Sequence, residues 1–269
     1  MSILTSLIVL GSTGLLAGAV LTISYSRLKV EEDPGVEEIM EKLPGLNCGA
    51  CGYASCHEYA LGVAAGSADV SLCRAGGPEL SAELASLTGV AGPPEGPPVK
   101  AVVLCGVKDR KMNAEYRGSK SCLSADITGG GGMACRYGCL GYGDCVKACP
   151  LGGVRLNPAG VPEIADEKCT GCGLCAGACP RDIIKVLPVA KDSKLIYVAC
   201  SNTQSGKNTR KVCPDGCIAC MLCVKKGPEG VFEVKDNLAR ALPRENGADI
   251  SSLKCPTSCI YEKKIQGNR

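Results

Sequence analysis

The 269-residue chain has no tryptophan, one phenylalanine, one histidine and eight tyrosines. Aromatic side chains make up 3% of it, too few to fill cores in the usual way, so something besides side-chain packing must help hold the chain together. His57 is the only imidazole, which disfavours catalytic plans built on histidine acids, bases or ligands, and no heme-attachment C-x-x-C-H occurs. A strong charge bias is also missing. Thirty basic and 27 acidic residues leave +3, so no field for nucleic acid or anionic surfaces is implied. The glycine run Gly129 to Gly132 is not followed by the lysine of a P-loop, and no G-x-G-x-x-G lies between a strand and a helix. Nucleotide fingerprints are therefore absent, and the run reads as a flexible approach to Cys135.

What the chain has instead is 21 cysteines. Such a content signals a disulfide framework in a secreted protein or metal ligation in reducing cytoplasm. The N-terminus bears on the choice. No charged residue occurs from Ser2 to Ser26, and the run from Ile3 to Tyr25 would extend about 35 Å as a helix, enough for a bilayer core of about 30 Å. Basic Arg27 and Lys29 follow the run rather than precede it, the flank pattern of an anchor rather than of a cleaved signal peptide. That pattern predicts a single-pass protein of the cell's inner (plasma) membrane, with the soluble part cytoplasmic and its thiols in a reducing compartment. Gly11, Gly14 and Gly18 would allow close approach of a partner helix, although glycine is common in membrane helices generally.

The expected fold is α+β: a transmembrane helix (residues 1–27), a small helical four-cysteine domain (28–91), a Pro/Gly spacer (92–99) and two ferredoxin-like domains (100–194 and 195–269). A short helix is expected before Pro44, with its glutamates solvated, and another starting near Pro78. Lys100 to Cys105 and Leu195 to Cys200 read as strands that open the last two regions. These regions repeat one another. GCLGYGDCVKACP (Gly138 to Pro150) aligns without a gap on GCIACMLCVKKGP (Gly216 to Pro228), and Cys135 and Cys213 precede them at the same offset.

Cysteine spacing carries the chemistry. Cys169-x-x-Cys172-x-x-Cys175-x-x-x-Cys179-Pro180 is the bacterial ferredoxin run, in which three thiolates grip one cubane and the fourth, before proline, ligates the other cluster of the pair. Zinc uses C-x-x-C pairs but does not call for this run. The exchange rule predicts one [4Fe-4S] site of Cys149, Cys169, Cys172 and Cys175. The reciprocal site takes Cys179, Cys139 and Cys145. Tyr142 occupies the position of the missing thiolate, and Cys135 is the nearest replacement, with Cys105 and Cys122 as competitors. In the third region Cys217, Cys220 and Cys223 pair with Cys255, which precedes Pro256. Gly227 replaces the other exchange ligand, and the stretch before Cys255 has no cysteines, so one cubane is lost as a unit. Cys48, Cys51, Cys56 and Cys73 complete a separate set. At least four [4Fe-4S] clusters are expected. Cys105, Cys122, Cys200 and Cys213 remain as possible additional ligands or inert thiols, and Cys259 is left over with no role assigned by the spacing.

LNCGACGYASCHEYA after an apolar helix, MACRYGCLGYGDCVKACP, the ferredoxin run and VCPDGCIACMLC together resemble the B subunit of Rnf-type ion-translocating oxidoreductase complexes over nearly the whole chain. The resemblance implies an enzyme complex that passes electrons between reduced ferredoxin and NAD, coupled to Na+ or H+ transport. Other membrane subunits would be partners and would carry the flavin and nicotinamide chemistry. This chain would be the electron wire, with no catalytic side chains of its own. Its departures lie in the tail, where Gly227 and the cysteine-free stretch remove a cluster. A membrane-tethered polyferredoxin wiring another redox enzyme, such as a hydrogenase, is the alternative reading, and a zinc-binding interaction module a distant third.

Overall fold

A computed structural model of the chain describes residues 3–28, 33–90, 97–189, 194–242 and 248–264. Most of the Pro/Gly spacer expected at 92–99 lies outside the described residues.

The first helix, α1 (Ile3–Leu28), is about 39 Å long at 1.5 Å per residue. Its segment Ser6–Leu28 has a mean hydropathy of 2.0 and is not buried against the rest of the described chain, so it is long and apolar enough to cross a membrane. Hydroxyls within it are satisfied locally: Thr13 donates to the Val9 carbonyl at 2.9 Å and Thr22 to that of Gly18 at 2.8 Å. These hydroxyls need no water for a partner.

Residues 33–90 form a small helical unit. Helix α2 (Pro34–Lys42) starts where Asp33 accepts the Gly35 N–H and Pro34 enters the first turn without a donor to lose. Helix α3 (Cys56–Ala64) is capped by Ser55, which accepts from the Glu58 N–H at 3.1 Å. Helix α4 (Gly77–Thr88) ends at Gly89, whose φ of 68° suits a residue without Cβ. Val36 and Ile39 of α2, Tyr59 and Val63 of α3 and Leu80 and Leu84 of α4 make the core.

The remainder is two units with one pairing scheme. In the first, strand β1 (Val99–Val103) leads through α5 (Cys122–Ile127) and α6 (Asp144–Lys147) to the hairpin β2 (Val154–Leu156) and β3 (Pro162–Ile164). Then α7 (Leu174–Gly177) returns the chain to β4 (Ile184–Pro188), which pairs antiparallel with β1. In the second, β5 (Lys194–Val198), α8 (Gly206–Val212), α9 (Leu222–Lys226) and the hairpin β6 (Phe232–Lys235) and β7 (Leu238–Ala241) precede β8 (Ile260–Lys264), which pairs with β5. The first strand closes on the last and a hairpin sits between them in both.

The backbone repeats as closely as the sequence. Counting from the first cysteine of each run, the residues two and four places on adopt left-handed φ: Gly141 and Gly143, Gly171 and Gly173, Ala219 and Met221. Glycine takes this conformation without penalty, whereas Ala219 and Met221 pay about 1–2 kcal/mol each for keeping it. The paired left-handed turns wrap the loop so that successive cysteines face one point.

Both cores are small and lined with sulfur. Cys139, Cys145 and Cys175 pack with Val103, Val154, Ile183 and Ile184 in the first; Cys200, Cys217, Cys223 and Cys259 pack with Val198, Phe232 and Ile250 in the second. The units are joined by bonds from the Gly106 N–H to the Ala199 carbonyl at 2.8 Å and from Lys263 to the Ile164 carbonyl at 3.0 Å and Asp166 at 2.7 Å.

Candidate metal centres

The loop before α3 gathers Cys48, Cys51, Cys56 and Cys73 around one hollow, floored by Tyr59. Asn47 accepts the Cys56 N–H at 2.8 Å and so ties the start of the loop to the helix that carries the third thiol. In the first strand-bearing unit, Cys149, Cys169, Cys172 and Cys175 line a second hollow. Three of these belong to one run and the fourth is the pre-proline cysteine of the other, the grouping expected from the spacing.

The reciprocal hollow differs from the expectation at one position. It is lined by Cys139, Cys145 and Cys179 as expected, but its fourth thiol is Cys122, not Cys135. Cys122 opens α5, and Asp144 of α6 fixes it there by accepting from the Ser121 hydroxyl at 2.9 Å and from the Leu123 N–H at 3.2 Å. Tyr142 stands in the vacated place of the run and packs against Tyr116, their ring centroids 5.6 Å apart. Spacing gives no sign of this substitution, because α5 lies outside the run. The capping of Ser121 and Leu123 by a residue inside the run was the missing signal. Cys135 lies instead in another hollow with Cys105, Cys200 and Cys213.

In the second unit Cys217, Cys220, Cys223 and Cys255 line a hollow to which Cys259 is added. Cys259 Sγ lies 3.7 Å from Cys255 Sγ. Its thiol stays protonated beside its two neighbours, and by hydrogen bonding it holds Cys255 and Cys217 below the ordinary thiol range. Cys259 stands four residues past its Cys-Pro, where the matching loops carry Gly153 and Ile183. It is a neighbour of the set, and Cys255 is the pre-proline member.

Arg181, two residues past Cys179, is a structural tie that no motif announces. Its side chain is 8% exposed, pairs with Asp126 at 2.6 Å and donates to the carbonyls of Cys135, Arg136 and Gly138. It thus ties the end of the ferredoxin run to α5 and to the loop entering the partner run. Arg181→Met removes a buried charge and strands these acceptors. The expected cost is about 2–4 kcal/mol, read from anaerobic guanidinium unfolding at unchanged iron content.

The donor chemistry fits iron–sulfur cubanes. Each set offers four thiols, and backbone N–H groups point at the sulfurs: Gly153 to Cys149 at 3.3 Å and Ala239 to Cys217 at 3.4 Å. Among the described residues no group of three or more His, Cys, Asp or Glu side chains is set to hold a single metal ion. A tetrahedral zinc, with bonds of about 2.3 Å, would draw four sulfurs to within ~3.8 Å of one another. Here the four thiols of each set line a shared hollow and are not gathered on a single point. Burial, reinforced by neighbouring thiols, pushes Cys139 and Cys175 up to about 12 and Cys145 up to about 11. Without metal these groups are neutral at physiological pH, so loading must displace their protons.

Comparisons with known proteins agree with this chemistry. A family model for an Fe-S cluster domain matches residues 43–75, and one for a 4Fe-4S dicluster domain matches residues 134–183. The chain is 36% identical to the B subunit of the Na(+)-translocating ferredoxin:NAD(+) oxidoreductase complex of Acetobacterium woodii, over 96% of this chain and 78% of that protein. It is 37% identical to the B subunit of the proton-translocating counterpart from Clostridium ljungdahlii, over 96% and 92%. It is 33% identical to the B subunit of the ion-translocating oxidoreductase complex of Methanosarcina acetivorans, over 96% and 93%. With near full-length relatives at this identity and thiol sets gathered as iron–sulfur ligation requires, the chain belongs to the family of B subunits of Rnf-type ion-translocating oxidoreductase complexes.

Proposed function

We propose that the chain is the membrane-tethered electron relay of an ion-translocating ferredoxin:NAD oxidoreductase complex, receiving electrons from reduced ferredoxin and passing them toward partner subunits. The observation that carries this is the gathering of sixteen cysteines into four all-thiol sets along a chain whose relatives are subunits of such complexes. In this reading Cys48, Cys51, Cys56 and Cys73 hold one [4Fe-4S] cluster; Cys149, Cys169, Cys172 and Cys175 a second; Cys122, Cys139, Cys145 and Cys179 a third; and Cys217, Cys220, Cys223 and Cys255 a fourth. The strand-bearing units are then tandem ferredoxin-like domains, the second retaining one of its two sites. Bound clusters of this type supply one-electron exchange with little rearrangement.

The protein's part is to hold and tune. Thiols fix the positions, and N–H groups aimed at sulfur and nearby charge set the potentials. Lys100 of β1 is 5% exposed and donates to the carbonyls of Asp166 at 2.9 Å and Cys169 at 2.6 Å, which keeps a cation beside the Cys169 loop. Because reduction adds negative charge, this cation favours the reduced state. Lys100→Met is expected to lower the midpoint of one centre by tens of millivolts, the scale of a unit charge at an effective dielectric of ~20, as read in an EPR-monitored titration. Cys220 is exposed, so the fourth set is open to an approaching redox protein. Arg27 in the last turn of α1 and Lys29 just beyond it in sequence favour a cytoplasmic location for the sets.

The test uses the full chain, purified anaerobically in mild detergent and mixed with reduced ferredoxin. Loss of visible absorbance and the appearance of paramagnetic signals on a subsecond timescale support the assignment. A chain that is reduced by dithionite but not by ferredoxin would remove ferredoxin as donor. Retention of flavin-containing membrane partners after gentle extraction separates this role from that of a stand-alone polyferredoxin.

A further inference from the structure

One group of thiols lies where the two strand-bearing units meet, and no ferredoxin run supplies it. Cys105, Cys135, Cys200 and Cys213 line a single hollow of about 300 Å³, its open part included. Each unit contributes two of them, from matching places. Cys105 and Cys200 stand two residues past the ends of β1 and β5, and Cys135 and Cys213 stand four residues before the first cysteine of their runs. The hollow is therefore where the repeat meets its own copy.

The surroundings are built for sulfur. The Cys139 N–H donates to Cys105 Sγ at 3.5 Å and the Asn202 N–H to Cys200 Sγ at 3.5 Å. The side-chain amide of Asn202, itself 1% exposed, reaches Cys135 Sγ at 3.8 Å. Asp215, the one carboxylate lining the hollow, accepts the Lys108 N–H at 3.0 Å. The two strand ends are fixed to each other by the Gly106 N–H bond to the Ala199 carbonyl and by the Ser201 hydroxyl, which donates to the Leu104 carbonyl at 3.0 Å. Arg181 holds the carbonyls of Cys135 and Gly138, at the two ends of that loop.

We propose that Cys105, Cys135, Cys200 and Cys213 hold a fifth [4Fe-4S] cluster, shared two and two between the repeated units. The donor set is wholly thiol, three of its sulfurs accept from N–H groups, and like the other four it is not gathered on a single point as a zinc ion requires. Its position joins the two units' own sites. Cys135 leads to Cys139 and Cys213 to Cys217, and four residues of chain span at most about 14 Å. The inference takes its cofactor class from the four-centre reading above and extends it to a site that local spacing does not reveal.

The test is the metal content of the anaerobically purified full-length chain, with variants from opposite units. The expected wild-type values are about 20 irons and about 20 sulfides per chain, four for each all-cysteine site. Cys105→Ala and Cys213→Ala should each fall to about 16 irons, and the double variant should also hold about 16, since both ligate one centre. Wild-type protein with about 16 irons, with or without one zinc, would overturn the fifth centre while leaving the other four. Iron near zero would overturn both readings. Should the variants fail to fold, the wild-type count decides alone.

Discussion

Chelating the iron out of the full-length protein will unfold residues 97–264 and leave residues 33–90 partly helical. The two strand-bearing cores contain few large apolar side chains. Ile183 and Ile184 anchor the first, Phe232 the second, and the space between is lined by cysteines. Among the described residues, every strand there has five residues or fewer and pairs with one other, and two-stranded ribbons are marginal in water without further support. Once the iron is gone, the thiols of each set face one another across a hollow that no apolar side chain fills. Binding free energy at structural metal sites of this kind is folding free energy, and for zinc it reaches about 10–16 kcal/mol, as large as the whole stability of an ordinary domain. Helices α2, α3 and α4 keep a core of Val36, Ile39, Tyr59, Val63, Leu80 and Leu84. Far-UV circular dichroism and limited proteolysis during chelation read the outcome. A stripped chain that still unfolds cooperatively, with the strand-bearing region protected, would show that side-chain packing suffices and that the clusters are passengers.

The second large effect concerns which thiols share a centre. Cys122→Ala is expected to remove about four irons, and Cys179→Ala about four. The Cys122→Ala/Cys179→Ala double variant should lose no more than either, because both side chains line one hollow. Combining Cys122→Ala with Cys175→Ala should remove about eight, since Cys175 lines the other hollow of the pair. Iron analysis and spin quantitation after reduction separate these patterns. A Cys122→Ala chain with wild-type iron would return the fourth position of this set to another thiol and refute the pairing through α5.

Cys122 also marks the boundary between what spacing encodes and what folding decides. Ligands close together in sequence leave a rhythm, because a loop that wraps a cubane must turn at fixed intervals. The left-handed residues at 141 and 143, 171 and 173, and 219 and 221 are those intervals in the backbone. The Cys-Pro positions are readable too, since the pre-proline cysteine crosses to the other site of its pair. That logic pointed to Cys149 and Cys255, and each lines the hollow of the run it was assigned to. The apolar run of α1, the helices α2 and α4, and the strands that open each repeat follow equally from local pattern.

Composition and cysteine rhythm alone thus determined that the chain relies on thiols rather than an aromatic interior, and where its runs lie. Only the tertiary structure decided the thiols that have no rhythm. Cys122 joins its set because Asp144 holds the start of α5, and Cys135 leaves that set to meet Cys105, Cys200 and Cys213 at the seam between units. The physical reason is range. A turn is fixed by the φ and ψ of adjacent residues, whereas a site assembled from β1, β5 and two loops is fixed by hydrogen bonds between segments far apart in the chain; the equal offsets of Cys135 and Cys213 mark them as counterparts without saying which site they join.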